Sequence, residues 1–133
     1  TRVRSSAASD VYKEGVEALQ GDDGCTGVKV NTADGYADYL FTATDMQAHH
    51  PSKRVSFCGR LGLIREKEGQ IQLMYLGCGR SLKKSNFVLE SDHDVYAAIY
   101  MQHGVWYYSA TGPVRVKIGK ETKELNEGYN QKL

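Results

Sequence analysis

The sequence predicts an antiparallel β-sandwich with one short N-terminal helix, and three observations carry that expectation. From Val28 onward apolar and polar residues alternate with period two over successive short runs, the pattern of strands that bury one face. Turn signals built on Gly, Asp and Asn interrupt these runs at intervals of about ten residues, the spacing of an antiparallel sandwich or barrel. Tyr supplies nine aromatic residues against three Phe and one Trp, and fourteen Gly stand against two Pro. Tyr, Val, Ile and Thr suit a pleated, half-buried surface, while Gly supplies the left-handed positions of tight turns.

Residues 1–8 are small and polar, carry Arg2 and Arg4, and read as a flexible arm or the end of a linker. A short helix is expected next. Ser9 or Asp10 can cap it, Glu14 sits in its first turns, and Val11, Gly15, Ala18 and Leu19 share a face before Gln20-Gly21 ends it. The period then switches to two: Val28 and Val30 alternate with Lys29 and Asn31, Asp34-Gly35 makes a turn, and an extended run over 36–44 completes a hairpin. Residues 45–53, with His49-His50 before Pro51, are polar and unpatterned and are expected as a surface loop.

The clearest hairpin follows, with strands over 55–65 and 70–78 flanking a charged turn that contains Gly69. Its register decides the fate of two thiols. A loop centred on Glu68 sets Cys58 against Cys78, whereas a two-residue loop at Glu68-Gly69 sets Cys58 against Gly79. Because Cys25, Cys58 and Cys78 are odd in number, at most one pair closes within the chain, and Cys58 with Cys78 is the candidate disulfide. Further strands are expected over 87–90, 95–101, 105–110 and 114–118, with turns at Asp92-His93-Asp94, His103-Gly104, Thr111-Gly112-Pro113 and Gly119-Lys120. Residues 9–125 thus form one β-rich domain, and 126–133 form a tail that frays unless Tyr129 docks it.

Composition narrows the class of function more than it names one. Seventeen basic and sixteen acidic side chains leave a net charge of +1, so no polyanion-binding surface dominates and nucleic acid is a disfavoured partner. No apolar run approaches the roughly 18 residues of a membrane span, and no membrane partner is expected. A chain of this length buries around two-thirds of its unfolded surface, enough for a core without disulfide staples. Its opening on Thr1 rather than Met points to a processed or trimmed product.

The residues that could carry chemistry do not converge in the linear pattern. His49, His50, His93 and His103 all fall in expected turns or loops. Asp92-His93-Asp94 brings oxygen and nitrogen donors together but lacks the three or four convergent ligands of a zinc site, so no metal and no cofactor is expected. A ribonuclease-like arrangement would need Glu66 or Glu68 as base, His103 as acid and Arg80 on the phosphorane. Against it, both glutamates belong to a hairpin tip and the charge is nearly neutral. Cys58, between Phe57 and Gly59, reads as a small buried hydrophobe rather than a nucleophile. No catalytic residue is assigned.

Aromatic surface is the feature with a binding character. In Val105-Trp106-Tyr107-Tyr108 alternation puts Trp106 and Tyr108 on one strand face and Val105 and Tyr107 on the other. One face meets the core, and the other is left for a sugar-stacking or protein-contact platform that Tyr36, Tyr39, Tyr75, Tyr96 and Tyr100 could widen. Trp106 and Tyr108 are the candidate ligand-binding residues, with a polysaccharide or a covering protein domain as partner.

The order of motifs adds a family resemblance. Asp38-Tyr39-Leu40-Phe41, then Phe57-x-Gly59-Arg60-Leu61-Gly62-Leu63-Ile64-Arg65 with Gly69 in the turn, then Leu73-x-Tyr75-Leu76-Gly77-x-Gly79 and Gly112-Pro113-Val114-x-Val116 resemble the C-terminal β-sandwich portion of heparinase II/III-like polysaccharide lyases, over about residues 26–118. Such enzymes cleave acidic polysaccharides by β-elimination, with Tyr and His moving protons and Asn or Arg neutralising the uronate, on parts of the enzyme other than this sandwich. No catalytic motif of theirs matches this chain. The resemblance therefore implies a non-catalytic accessory or interaction module of a carbohydrate-active protein, acting outside the cell or in the periplasm. A small secreted hydrolase or ribonuclease-like enzyme is the alternative, and a structural subunit of a larger assembly is the third class.

Overall fold

The computed structural model describes residues 16–19, 25–50 and 55–133. Strands β1 (Val16–Leu19), β2 (Cys25–Asn31), β3 (Tyr36–His50), β4 (Val55–Lys67), β5 (Gln70–Lys84), β6 (Phe87–Gln102) and β7 (Val105–Ala110) follow one another as neighbours, with β10 (Gly128–Lys132) beside β7. β8 (Val114–Ile118) instead pairs with β6 and with β9 (Glu121–Leu125). All pairings are antiparallel. At Glu68-Gly69 and at His103-Gly104 both turn residues have positive φ, as two-residue hairpins of matching twist require.

The central strands are long, 15, 13, 15 and 16 residues for β3 to β6, because each runs through both layers of the sandwich. β6 shows how. Its residues 87–90 pair with β8, and its residues 97–102 pair with β7. The register slips between Thr42 and Met46, Cys58 and Gly59, and on either side of Gly79, so that a bulge bends each strand where it passes from one layer to the other. At this corner Gly59 pairs with Gly79, and a Cβ on Gly59 would lie 2.6 Å from the Cα of Gly79. Two backbones approach there as only glycine allows.

The core lies between the layers. Phe41, Ile64, Met74, Leu76 and Ile99 from the larger layer meet Val55, Phe57, Leu82, Leu89 and Val116 from the smaller, all fully buried. Burial of each large side chain stabilises by about 1.5 to 3 kcal/mol. The Phe41 and Phe57 rings stack across the layers with centroids 5.9 Å apart. Beside them the Lys84 ammonium of the smaller layer is paired with the Glu66 carboxylate of the larger and lies 5.1 Å from the centre of the Tyr39 ring.

Four expectations change. The second half of the expected helix is strand β1, in register with β2 from Val16 opposite Val30 to Leu19 opposite Gly27, while residues 9–15 and 20 lie outside the described residues. Pairing along an open sheet edge outweighs a few residues of helical spacing, which cannot repay the cost of helix nucleation. The backbone of β3 continues to His50 rather than looping out after Asp45, because the bulge after Thr42 lets it rejoin β4. Asp92-His93-Asp94 is exposed but lies within β6, at its bend. The C-terminal tail is docked: β10 pairs with β7, and the Leu133 amide donates to the Trp106 carbonyl.

Candidate functional site

Strand β7 places the candidate aromatic residues. Trp106 and Tyr108 share the face turned toward the other layer, as alternation requires. Tyr108 is only 8% exposed, and its hydroxyl donates to the Asn126 carbonyl at 3.1 Å, which makes it a core residue with its polar end satisfied. Trp106 stands at the open end of the sandwich, half-buried, tilted against Phe87 with ring centroids 5.8 Å apart. It is the shared wall of two clefts. One, of about 290 Å³, has Val116, Ile118 and Leu133 among its apolar lining and Glu121 and Lys123 at its rim. The other, of about 320 Å³, is lined by Ile71, Phe87 and Met101 together with the paired Glu66 and Lys84.

The opposite face of the larger layer is a second aromatic surface. Tyr107 stacks on Tyr100, centroids 5.9 Å apart and planes 18° from parallel, and the Tyr100 hydroxyl donates to Asn130 Oδ1. Beside this stack Tyr75, Tyr96 and Tyr129 surround a depression of about 140 Å³. Leu40, Leu61, Tyr96 and Tyr129, the exposed large apolar side chains among the described residues, all belong to this face. A fixed charge pair on it is Arg65 with Asp38, bonded through both carboxylate oxygens at 2.7 and 2.8 Å, with the guanidinium 4.6 Å from the centre of the Tyr36 ring. Those hydrogen bonds hold the Arg65 pKa above the ordinary guanidinium value. The outer face of the smaller layer is of the other kind: Glu90 pairs with Lys83 at 3.6 Å and with Arg115 at 2.8 Å, and Arg115 reaches Glu124 at 3.8 Å. Such exposed pairs stabilise little but keep a surface wet.

The remaining candidates stay apart. His103 is exposed in the β6–β7 turn, Glu68 in the β4–β5 turn, Glu66 is buried on Lys84, and Arg80 is exposed and paired with Asp94 at 3.2 Å. The side chains of His49 and His50 lie outside the described residues. No group of three or more His, Cys, Asp or Glu among the described residues is placed to hold a metal ion. Cys58 and Cys78 are free thiols and not a disulfide. Two slips in the β4–β5 ladder, one after Arg65 and one after Cys58, move Cys58 opposite Ser81.

Sequence reasoning found both aromatic faces of β7 but not the depression beside Tyr129. The signal for it was present in β6, where Ala98 separates Tyr96 from Tyr100 at period two and leaves a gap between large rings.

A family-model match, and not the geometry alone, places this antiparallel β-sandwich among the domains of polysaccharide lyases, the broader class to which the strand and turn motifs pointed. Within that class the chain belongs to the endo-acting ulvan lyase C-terminal domain family, whose model matches residues 13–101, from before β1 almost to the end of β6. Trp106 and Tyr129 lie beyond the matched span. No curated protein and no solved structure matches the chain.

Proposed function

We propose that the chain is a non-catalytic accessory module of a polysaccharide lyase with a heparinase II/III-like division of labour, acting outside the cell or in the periplasm, and that it grips an acidic polysaccharide at Trp106. The observation that carries this reading is the position of Trp106 in the wall of a cleft whose lining includes the Lys123 ammonium, beside Glu121. An indole face offers a sugar ring apolar contact, and a neighbouring ammonium attracts its carboxylate or sulfate. Lys123 is exposed and Lys84 is committed to Glu66, so Lys123 is the cation available to a ligand.

Trp106→Ala is expected to weaken binding of soluble ulvan, measured by affinity electrophoresis, by roughly five- to 150-fold, the loss of about 1 to 3 kcal/mol from a partly desolvated aromatic contact. Trp106→Phe should retain part of the affinity, and Lys123→Gln should lower both the affinity and its salt dependence. Thermal melting of each variant separates lost contact from lost fold. Unchanged binding in Trp106→Ala would remove the cleft from the reading, and polymer turnover by the chain alone that His103→Ala abolishes would make it an enzyme.

A further inference from the structure

We propose that the depression between Tyr75, Tyr96 and Tyr129 on the outer face of the larger layer is a second and separate site, which seats one uncharged pyranose unit of a polysaccharide. The proposal rests on the carbohydrate reading above but uses none of the residues of the Trp106 clefts.

The register builds the pocket. Tyr75 on β5 lies opposite Ala98 on β6, and Ala98 lies opposite Ser109 on β7. Across these strands the outer face therefore runs from one large ring over two small side chains, and strand spacing of about 4.8 Å makes that gap roughly one sugar ring wide. Tyr129 on β10 closes the far side, and Tyr96, two residues before Ala98 on the same face, closes the end. Tyr129 owes its position to the bulge between Gly128 and Gln131. There Asn130 takes a positive φ of 52°, its amide donates to Ser109 Oγ at 2.9 Å, and its side chain accepts from Tyr100. A bulge held by these two hydrogen bonds re-aims the preceding ring onto the face.

The chemistry of the lining selects the occupant. About 140 Å³ is the liquid share of roughly five water molecules at about 30 Å³ each, the scale of one ring and not of a longer segment. The floor is Ala98 with Ser109, and no ionisable group other than the tyrosines lines the depression. A carboxylate or sulfate entering it would lose its hydration without a cation to replace it. A neutral pyranose suits it: its C–H face lies on the apolar rings and floor, and its hydroxyls stay toward water past Tyr96 and Tyr129, which are 53% and 59% exposed.

The test compares a neutral polymer, xylan, with acidic ulvan on the parent and on Tyr96→Ala, Tyr129→Ala, Ala98→Leu and Trp106→Ala. Ala98→Leu fills the depression and leaves all three tyrosines in place, on a face away from the core. Binding of xylan, insensitive to salt, should fall at least tenfold in the first three variants and be unchanged in Trp106→Ala. If ulvan binding depends on Trp106 but the parent does not bind xylan, or binds it equally well in Ala98→Leu, the tyrosine site is overturned while the Trp106 reading stands. If the xylan pattern holds while Trp106→Ala leaves ulvan binding unchanged, the Trp106 reading fails alone. Self-association of the parent in sedimentation, lost in Tyr96→Ala and Tyr129→Ala with no sugar bound, would give the face to a protein and overturn the proposal as well.

Discussion

Gly59→Ala will destabilise the module by about 3 to 4 kcal/mol, combining an overpacking cost with backbone strain of order 1 to 3 kcal/mol each. The added Cβ would stand 2.6 Å from the Cα of Gly79 and 3.3 Å from the Phe57 ring, on a residue whose φ is +155°. The nearest obstacle is backbone of the facing strand, so no side chain can turn aside to relieve it. Gly69→Ala is the comparison, since its φ of +78° is also positive but nothing lies within 4 Å of the added carbon. It should cost only about 1 to 2 kcal/mol, the ordinary penalty for a left-handed L-residue. Urea denaturation of both variants reads the difference. Equal losses would mean that the corner does not depend on close approach of the two strands.

Breaking the Glu66–Lys84 pair is the second large effect. With 9% and 11% of their side chains exposed, the two charges are held between the layers, and each is the other's ionic partner. Lys84→Met leaves the Glu66 carboxylate without its partner and should cost about 3 to 5 kcal/mol. Replacing both, Glu66→Leu with Lys84→Met, removes the desolvation cost of the two ions together, and the double variant is expected to match or exceed the parent. A double-mutant cycle on denaturation midpoints measures the coupling. Additive losses in the double variant would show that the pair is not a coupled unit.

Most of the strands were legible because alternation of apolar and polar residues survives wherever one strand face is buried. The hairpin expected over 55–78, the turns at Glu68-Gly69 and His103-Gly104, and the shared face of Trp106 and Tyr108 all follow from period two and turn chemistry, although β5 runs on to Lys84. Bulges are what alternation does not announce. A single inserted residue moves every later partner: the two-residue turn alone sets Cys58 against Gly79, and two such slips carry it on to Ser81, three positions past the Cys78 of the candidate disulfide. Nor could the pattern say which face of β7 is interior, since Tyr107 on one side is as aromatic as Tyr108 on the other. The three tyrosines of the outer depression are remote in sequence. They meet because the chain leaves β7 for the β8–β9 hairpin and then returns to pair β10 with β7, a route no local signal specifies.

Strands shared by both layers have a mechanical consequence. In a sandwich assembled from separate sheets, the layers touch only through side chains and can shear over one another. Here β3 to β6 pass from one layer into the other as unbroken polypeptide. Force applied to one outer face therefore reaches the opposite face through covalent backbone and its hydrogen-bonded ladder, with no slip plane between. Such a body transmits tension applied on one side to whatever holds the other with little compliance, and it turns as a lever where a two-sheet stack would creep.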